Sequence, residues 1–403
     1  MKYKYLNLNQ DGRIGNRTIY SVMLLGFLLR AALLILMLAL KNVYSPYFLS
    51  DDIAYEVRAQ SYLLNANGIV DLDYLEYLLR GYMQPFWPVV MCISARLFCT
   101  IYAGRAINIC LSTACVFVIY QTVLLLTPSE KTALRAAKLF AFLPVTVITS
   151  CFPIKDIYLT WAVLYAFYVF LLVHFKKPVK IAHIMVTVLG LIGAYFARGA
   201  VAELMGIFFV LLWLDSLCKR KRYKAVIAVL ALALVVLVLY GNTIIQTFLT
   251  KIEDYGGYNE RSTGMLSMLQ MKKPWEFYKL VPAYFFATLQ PMTLNYYAVP
   301  DKIWMWLLRI GNISLYPVAI ANFLYIFQRK HNRLYWFCGV VIYCAVISMC
   351  LGIFRHYLFL ISLEMINCAL MFDRRKRKTK RIVVFGTIGM VMFMALYSLA
   401  TGL

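Results

Sequence analysis

The sequence predicts an all-α polytopic membrane protein with about eleven transmembrane helices and further juxtamembrane helices on the outer surface. Three observations carry that reading. The chain is 63% hydrophobic and 15% charged, with a mean hydropathy of +0.72, more apolar surface than a soluble globule can cover. Its apolar residues fall in long runs of roughly 20, the length of one bilayer crossing. The net charge of +23 sits in short basic clusters between those runs, which is the positive-inside pattern and argues against a nucleic-acid partner.

The runs cover approximately residues 19–40, 104–127, 137–153, 157–175, 181–197, 201–217, 225–247, 303–327, 334–352, 357–372 and 382–401. The first is too long for a signal-peptide core and lacks a clear small-residue cleavage site, so it is expected to be a retained helix. The stretch 85–102 contains Pro85, Pro88 and Arg96 and is barely long enough to cross. Charge decides its placement. With 85–102 lying along the surface, all the main basic clusters fall on one side: Lys2/Lys4/Arg13/Arg17, Lys131/Arg135/Lys138, Lys176/Lys177/Lys180, Lys219–Arg222 with Lys224, Arg329/Lys330/Arg333, and Arg374–Lys378 with Lys380 and Arg381. The N-terminus is then cytoplasmic, the C-terminus outside, and 85–102 is a juxtamembrane helix.

Most of the 18 acids fall on the opposite side, which the positive-inside rule does not require. Two long loops, 41–103 and 248–302, lie on that outer face, whereas the cytoplasmic connections are short. Binding and catalysis usually sit on long connections, so function is expected outside. The chain divides accordingly into a module at 1–217 with the first outer loop and a C-terminal region at 218–403 with the second. That second loop has a Gly/Asn/Ser-rich stretch at 255–264, then an aromatic segment at 275–297 suited to an interfacial belt or a lid.

The candidate residues follow from this sidedness. Asp51 and Asp52 stand shortly beyond the first run; one carboxylate could act as general base on a hydroxyl and the other could orient a partner or hold a metal, or the pair could be solvated loop acids. Lys155-Asp156 occupies a very tight outer hairpin after Cys151-Phe152-Pro153-Ile154, so Asp156 is held at the membrane edge; a Lys155–Asp156 salt bridge is the plainer alternative. Arg198 and Arg355-His356 fall at outer edges, where an Arg can grip a phosphate bidentately or snorkel to a headgroup. Arg30, Arg309 and Glu364 lie within runs, where charge is costly and is usually paired or functional; Arg30 could pair with Glu364. A proton relay would need more deep acids than Glu364 alone.

No P-loop, GxSxG, HExxH or dinucleotide fingerprint occurs. The activated substrate is therefore expected from the lipid phase or from outside. The ten cysteines lie mostly in apolar segments without CxxC pairs and read as small hydrophobes rather than a disulfide framework or zinc site.

These residues together resemble the GT-C class of integral-membrane glycosyltransferases, the superfamily of protein O-mannosyltransferases, lipid A aminoarabinose transferases and bacterial cell-surface glycan enzymes. Asp51-Asp52-x-x-Tyr55-x-x-x-Ala59 is similar to the family's acidic element after the first span. Gln84-Pro85-Phe86-Trp87-Pro88 followed by Ala95-Arg96-Leu97-Phe98 resembles its Pro-rich juxtamembrane helix, with Cys99 where the family usually has Gly. Ala103-Gly104-Arg105-Ala106-Ile107-Asn108 resembles the start of its second span, Lys155-Asp156 its second luminal acid, and Arg198 an Arg after the fifth span. Arg355-His356-Tyr357 is similar to a late Arg-Tyr element but lacks the following Pro.

The resemblance implies a GT-C-like fold and a polyprenyl-phosphate or -pyrophosphate sugar as donor. The acceptor would be a glycan, lipid or protein, and the active site would lie on the outer face of a bacterial inner membrane. Asp51 would then be the base in an inverting displacement, with Asp52 and Asp156 as further catalytic acids or ligands of a divalent cation. Tyr55, Lys155, Arg198, Arg355 and His356 would bind substrate. A polysaccharide polymerase or ligase is the alternative function; a lipid-linked sugar flippase would need charge across the whole membrane rather than at its outer edge.

Overall fold

The structure, a computed structural model, describes residues 12–47, 50–81, 84–219, 221–224, 227–229, 231–232, 234–235, 238–239, 303–328, 358–374 and 377–401. Among the described residues every regular element is a helix. Two compact units form: residues 1–199, 291–325 and 358–403 make one, residues 200–290 and 326–357 the other. Arg355, His356 and the whole of the loop 248–302 lie outside the described residues, as does the side chain of Arg309.

The first unit opens with α1 (Gly12–Ala39), whose Thr18–Ala39 portion is 22 residues of apolar helix. Three short helices follow: α2 (Ser50–Asn65), α3 (Leu72–Gly81) and α4 (Phe86–Phe98). At 13 residues, α4 is only about 20 Å long, against a hydrocarbon core of about 30 Å. Lys41 Nζ donates to the Tyr102 hydroxyl at 3.1 Å, so the whole excursion from 41 to 102 leaves and re-enters at one place. The chain then runs through α5 (Ala103–Leu126), α6 (Glu130–Phe142), α7 (Pro144–Ser150), α8 (Asp156–His174) and α9 (Ile181–Ala197).

Three described helices, in α1, α5 and α8, are long and apolar enough to cross a membrane, and the bent pair α6–α7 makes a fourth if it is one span. The expected runs 225–247 and 334–352 lie largely or wholly outside the described residues. α5 packs against α1, α6 and α8, and α8 against α9. The later chain adds α11 (Ile303–Asn312), α12 (Leu315–Gln328), α13 (Leu358–Arg374) and α14 (Arg377–Thr401); α13 packs on α6 and α8, and α11 on α7. In the second unit the longest described element is the part of α10 (Gly199–Lys219) from Ala200 onward, where Glu203 is exposed.

The bend between α6 and α7 is 52° and has a sequence cause. Pro144 has no N–H to donate, and it forces Leu143 into an extended conformation, φ −65° and ψ 125°. Helical carbonyls near the break lose their partners in the interior of an apolar bundle. Arg30 of α1 supplies them, donating to Ala141 O at 2.8 Å and Phe140 O at 3.2 Å, while Thr146 Oγ1 donates to Phe140 O at 2.6 Å. Its remaining bonds go to Gly26 O at 2.9 Å and Ser112 Oγ at 3.0 Å. The expected Arg30–Glu364 pairing is thus replaced: Arg30 repairs a proline break. Glu364 instead accepts from Asn322 Nδ2 at 3.4 Å, and Asn367 Nδ2 donates to Asn322 Oδ1 at 2.6 Å, linking α12 to α13 through polar side chains.

Cys99, in the position where the resembled family has Gly, ends α4 in the left-handed region at φ 51° and ψ 34°. Glycine reaches that region without penalty and an L-residue does not. The described cysteines are all free thiols; Cys92, Cys115, Cys151 and Cys368 are buried, and Cys99, Cys110 and Cys218 are exposed.

Candidate functional site

The acids of the first outer loop open α2. Ser50 starts the helix, and Asp51 and Asp52 occupy its first turn, where the positive end of the helix dipole favours negative charge. The spacing of the Asp-Asp-x-x-Tyr-x-x-x-Ala element is a helical face. Asp52, Tyr55, Glu56, Ala59 and Tyr62 recur at three- and four-residue intervals and are all buried, Asp52 completely. Asp51 stands on the flank of that face and is half-buried. Of the two neighbouring carboxylates, Asp51 is the more exposed.

Glu56 was not among the candidates from sequence, yet it is the acid that fixes α2. Its carboxylate accepts from Arg105 Nε at 2.5 Å and from the Tyr47 hydroxyl at 2.9 Å. Arg105, in the first turn of α5, is fully buried and lies 5.2 Å from the centre of the Tyr47 ring. Burial first, and then the Glu56 charge and hydrogen bond, push the Tyr47 phenol up to about 12, so it stays a donor at neutral pH.

The hairpin 151–155 is held by side chains rather than by its own backbone. Arg105 Nη1 donates to Cys151 O at 3.1 Å and to Pro46 O at 2.9 Å. Asn108 Nδ2 donates to both Phe152 O and Ile154 O at 2.8 Å, and Trp87 Nε1 donates to Pro153 O at 3.0 Å. Four consecutive carbonyls are therefore taken by α4 and α5. Trp87, Arg105 and Asn108 come from the two stretches whose resemblance was noted without any role attached. Arg105 and Asn108, polar residues three apart at the start of an apolar run, were the available signal, since buried polar groups in a span are costly unless bonded.

That hairpin delivers Asp156 as the first residue of α8. Asp156 is 2% exposed, and its Oδ1 pairs with Arg198 Nη1 at 2.9 Å. Its other oxygen, Oδ2, is buried and has no protein hydrogen-bond partner. Arg198 caps the end of α9 in extended conformation, φ −163° and ψ 92°. Lys155 bonds Gln84 Oε1, the residue before the Pro85 that starts α4. The Lys155–Asp156 bridge considered from sequence therefore gives way to two separate pairings, each to a different part of the first unit. Gly193 lets α9 come close, because a Cβ there would collide with the Tyr158 hydroxyl and meet Phe86 at 2.8 Å.

The structure thus pairs Asp156 with Arg198, holds Lys155 on Gln84, and ties the helix of Asp51, Asp52 and Tyr55 to the end of α5 that also holds the hairpin, through Glu56 and Arg105. Asp52 and Asp156 are the carboxylates the sequence offers to a divalent cation. Among the described residues no three His, Cys, Asp or Glu are close enough to hold a metal ion together, so these two acids alone do not make a metal site.

No family model matches the chain, and no curated protein does. Among solved structures, the chain is similar to the oligosaccharyltransferase of Archaeoglobus fulgidus tethered to an acceptor peptide, with a TM-score of 0.45 and 14% identity over 95% of this chain and 53% of that one. A second structure of that protein, in complex with zinc and sulfate, aligns with a TM-score of 0.39 and 16% identity over 79% of this chain and 43% of that one. The chain spans about half the length of the oligosaccharyltransferase it aligns with.

Proposed function

We propose that the chain is a GT-C-type membrane glycosyltransferase, moving a sugar from a polyprenyl-phosphate or -pyrophosphate donor to a glycan, lipid or protein acceptor on the outer face of a bacterial inner membrane. Residues 1–217 form its catalytic module and 218–403 its C-terminal transmembrane region. One observation carries the reading: Arg105, at the start of α5, bonds both the acid-bearing helix α2 and the hairpin that presents Lys155 and Asp156, whose partner is Arg198. Acids and cations from separate parts of the chain are thus held at a single end of an apolar bundle, where a lipid phosphate and a polar acceptor can meet.

The chemistry follows from the exposures. Asp51, half-buried, takes the proton of the acceptor hydroxyl. The hydroxyl oxygen attacks the anomeric carbon as the bond to the phosphate oxygen breaks, and the electron pair leaves with the polyprenyl phosphate. One displacement inverts the anomeric centre. Asp51 then returns its proton to water. The leaving phosphate gains charge, which Lys155 and Arg198 neutralise. Asp52 and Asp156, both buried, orient the acceptor indirectly, by fixing the start of α2 and of α8 around it. Tyr55 supports the acid face, and Arg355 and His356 are carried from the sequence as further substrate-binding residues. No step is routed through a metal.

The test is sugar transfer from labelled polyprenyl-phosphate sugars in membranes, comparing wild type with Asp51→Asn and Asp156→Asn at matched expression. Loss of transfer with donor binding retained is expected for Asp51→Asn. Unchanged transfer in that variant would remove Asp51 from the mechanism. Long saccharide products would instead assign the chain to the polymerases or ligases. Translocation of the lipid-linked sugar with no transfer by wild type would make it a flippase.

A further inference from the structure

We propose that Arg105 is a positioning residue that sets the separation between the two acid-bearing segments, the start of α2 with Asp51 and Asp52, and the hairpin that ends at Asp156. This builds on the transferase reading, but its central test does not depend on it.

The argument starts from cost. A fully buried guanidinium paired with a carboxylate only 2% exposed gains little stability over an apolar pair of the same volume, because both charges must leave water. A buried pair earns retention where its geometry fixes something else. Arg105 bonds three segments at once: Glu56 of α2 through Nε, and both Pro46, ahead of α2, and Cys151 of the hairpin through Nη1. Those donors belong to one rigid planar fork, so the position of α2 dictates that of the hairpin. Asn108, one turn along the same helix, and Trp87 of α4 hold the next three carbonyls, which makes 151–154 a rigid extension of the Arg105 contact. From Ile154 only Lys155 separates this extension from Asp156. Arg105 thus acts on the acids through Glu56 and Cys151 and need not touch substrate.

A lysine at 105 would keep the charge but lose the fork. A glutamine at 56 would weaken the α2 side without touching the hairpin. Hydrogen exchange of the purified protein, followed at the amides of 50–56 and 151–156, separates a positioning role from a merely structural one. For both Arg105→Lys and Glu56→Gln, exchange is expected to rise at both segments together, with α8 beyond its first turn unchanged. In the transfer assay kcat falls about 100-fold, the scale of a misplacement near 1 Å, while KM for the lipid-linked donor changes little. Faster exchange confined to α2 in Glu56→Gln would overturn the coupling, as would unchanged exchange at both segments. If Arg105→Lys does not fold, Glu56→Gln alone decides the question. A coupled rise in exchange in the variants, with no sugar transfer by the wild-type protein, would uphold the positioning role while defeating the transferase reading.

Discussion

Asp156 and Arg198 lie 42 residues apart in the chain and pair across 2.9 Å, with both side chains removed from water. The pair joins the start of α8 to the end of α9. An arginine has five N–H donors in a fixed fork, and among the described residues Asp156 uses one of them. The arrangement can hold a carboxylate and still present donors to a phosphate.

Removing one member of this pair leaves the other buried and uncompensated. Arg198→Ala and Asp156→Ala are each expected to cost about 3–5 kcal/mol of stability. The double variant should cost less than the sum of the two, because no lone charge remains. Thermal unfolding of the four proteins in the same detergent measures the coupling; strict additivity would mean the two do not interact.

Cys99→Gly should stabilise the protein. An L-residue in the left-handed region carries a penalty of about 1–2 kcal/mol, part of which is offset by the greater freedom of an unfolded glycine, so a net gain of about 0.5–1 kcal/mol is expected. Cys99→Ala, which retains the strain, is the control. A glycine variant no more stable than the alanine one would contradict the assignment.

Arg30→Met should be severe, although Arg30 lies outside the proposed site. It would remove the side-chain donor to Ala141 O and to Ser112 Oγ, where a buried polar group left unbonded costs about 1–3 kcal/mol, while Phe140 O keeps its bond from Thr146. Pro144→Ala in the same background should recover part of the loss, since the helix could then supply some of its own bonds. Unfolding midpoints of the single and double variants check this.

Tyr47 gives a signed pH dependence. Its folded value, about 12, lies above the ordinary 10.0, mainly through burial and then through Glu56. The neutral phenol is the form the fold favours, so its contribution is complete below pH 10 and is lost as pH rises toward 12. Tyr47→Phe should therefore be less stable than wild type at pH 8, and the gap should close between pH 10 and 12. A gap that stays constant with pH would show that the hydroxyl contributes nothing through its ionisation.

Asp71 shows how local sequence can be read without the rest of the fold. Its two oxygens accept from the backbone N–H groups of Asn67 at 3.0 Å and Tyr74 at 3.1 Å, closing the turn that starts α3, and those bonds hold its carboxyl below the usual range. Such an Asp just ahead of a helix is recognisable from composition alone.

The helical, apolar character of the described residues was likewise determined by the sequence itself, because burial in hydrocarbon demands long apolar runs whose backbone groups bond within one segment. So was the helical spacing of Asp52, Tyr55 and Ala59, which is a local periodicity. The break at Pro144 was not read from the sequence, where 137–153 stood as one run, and neither was its repair by Arg30, since nothing in a linear chain brings residue 30 beside residue 141. The same holds for the site. Asp51, Asp52, Lys155, Asp156 and Arg198 stood out by residue type and position at the ends of apolar runs. Glu56 did not, because one more acid in an acidic loop carries no mark of its partner. Only tertiary structure decided that Glu56 meets Arg105, that Asp156 takes Arg198 rather than Lys155, and that Arg30 serves a broken helix rather than Glu364. The physical reason is that a buried charge is satisfied by whatever packing brings within about 3 Å, and that depends on how separate helices meet rather than on their order in the chain.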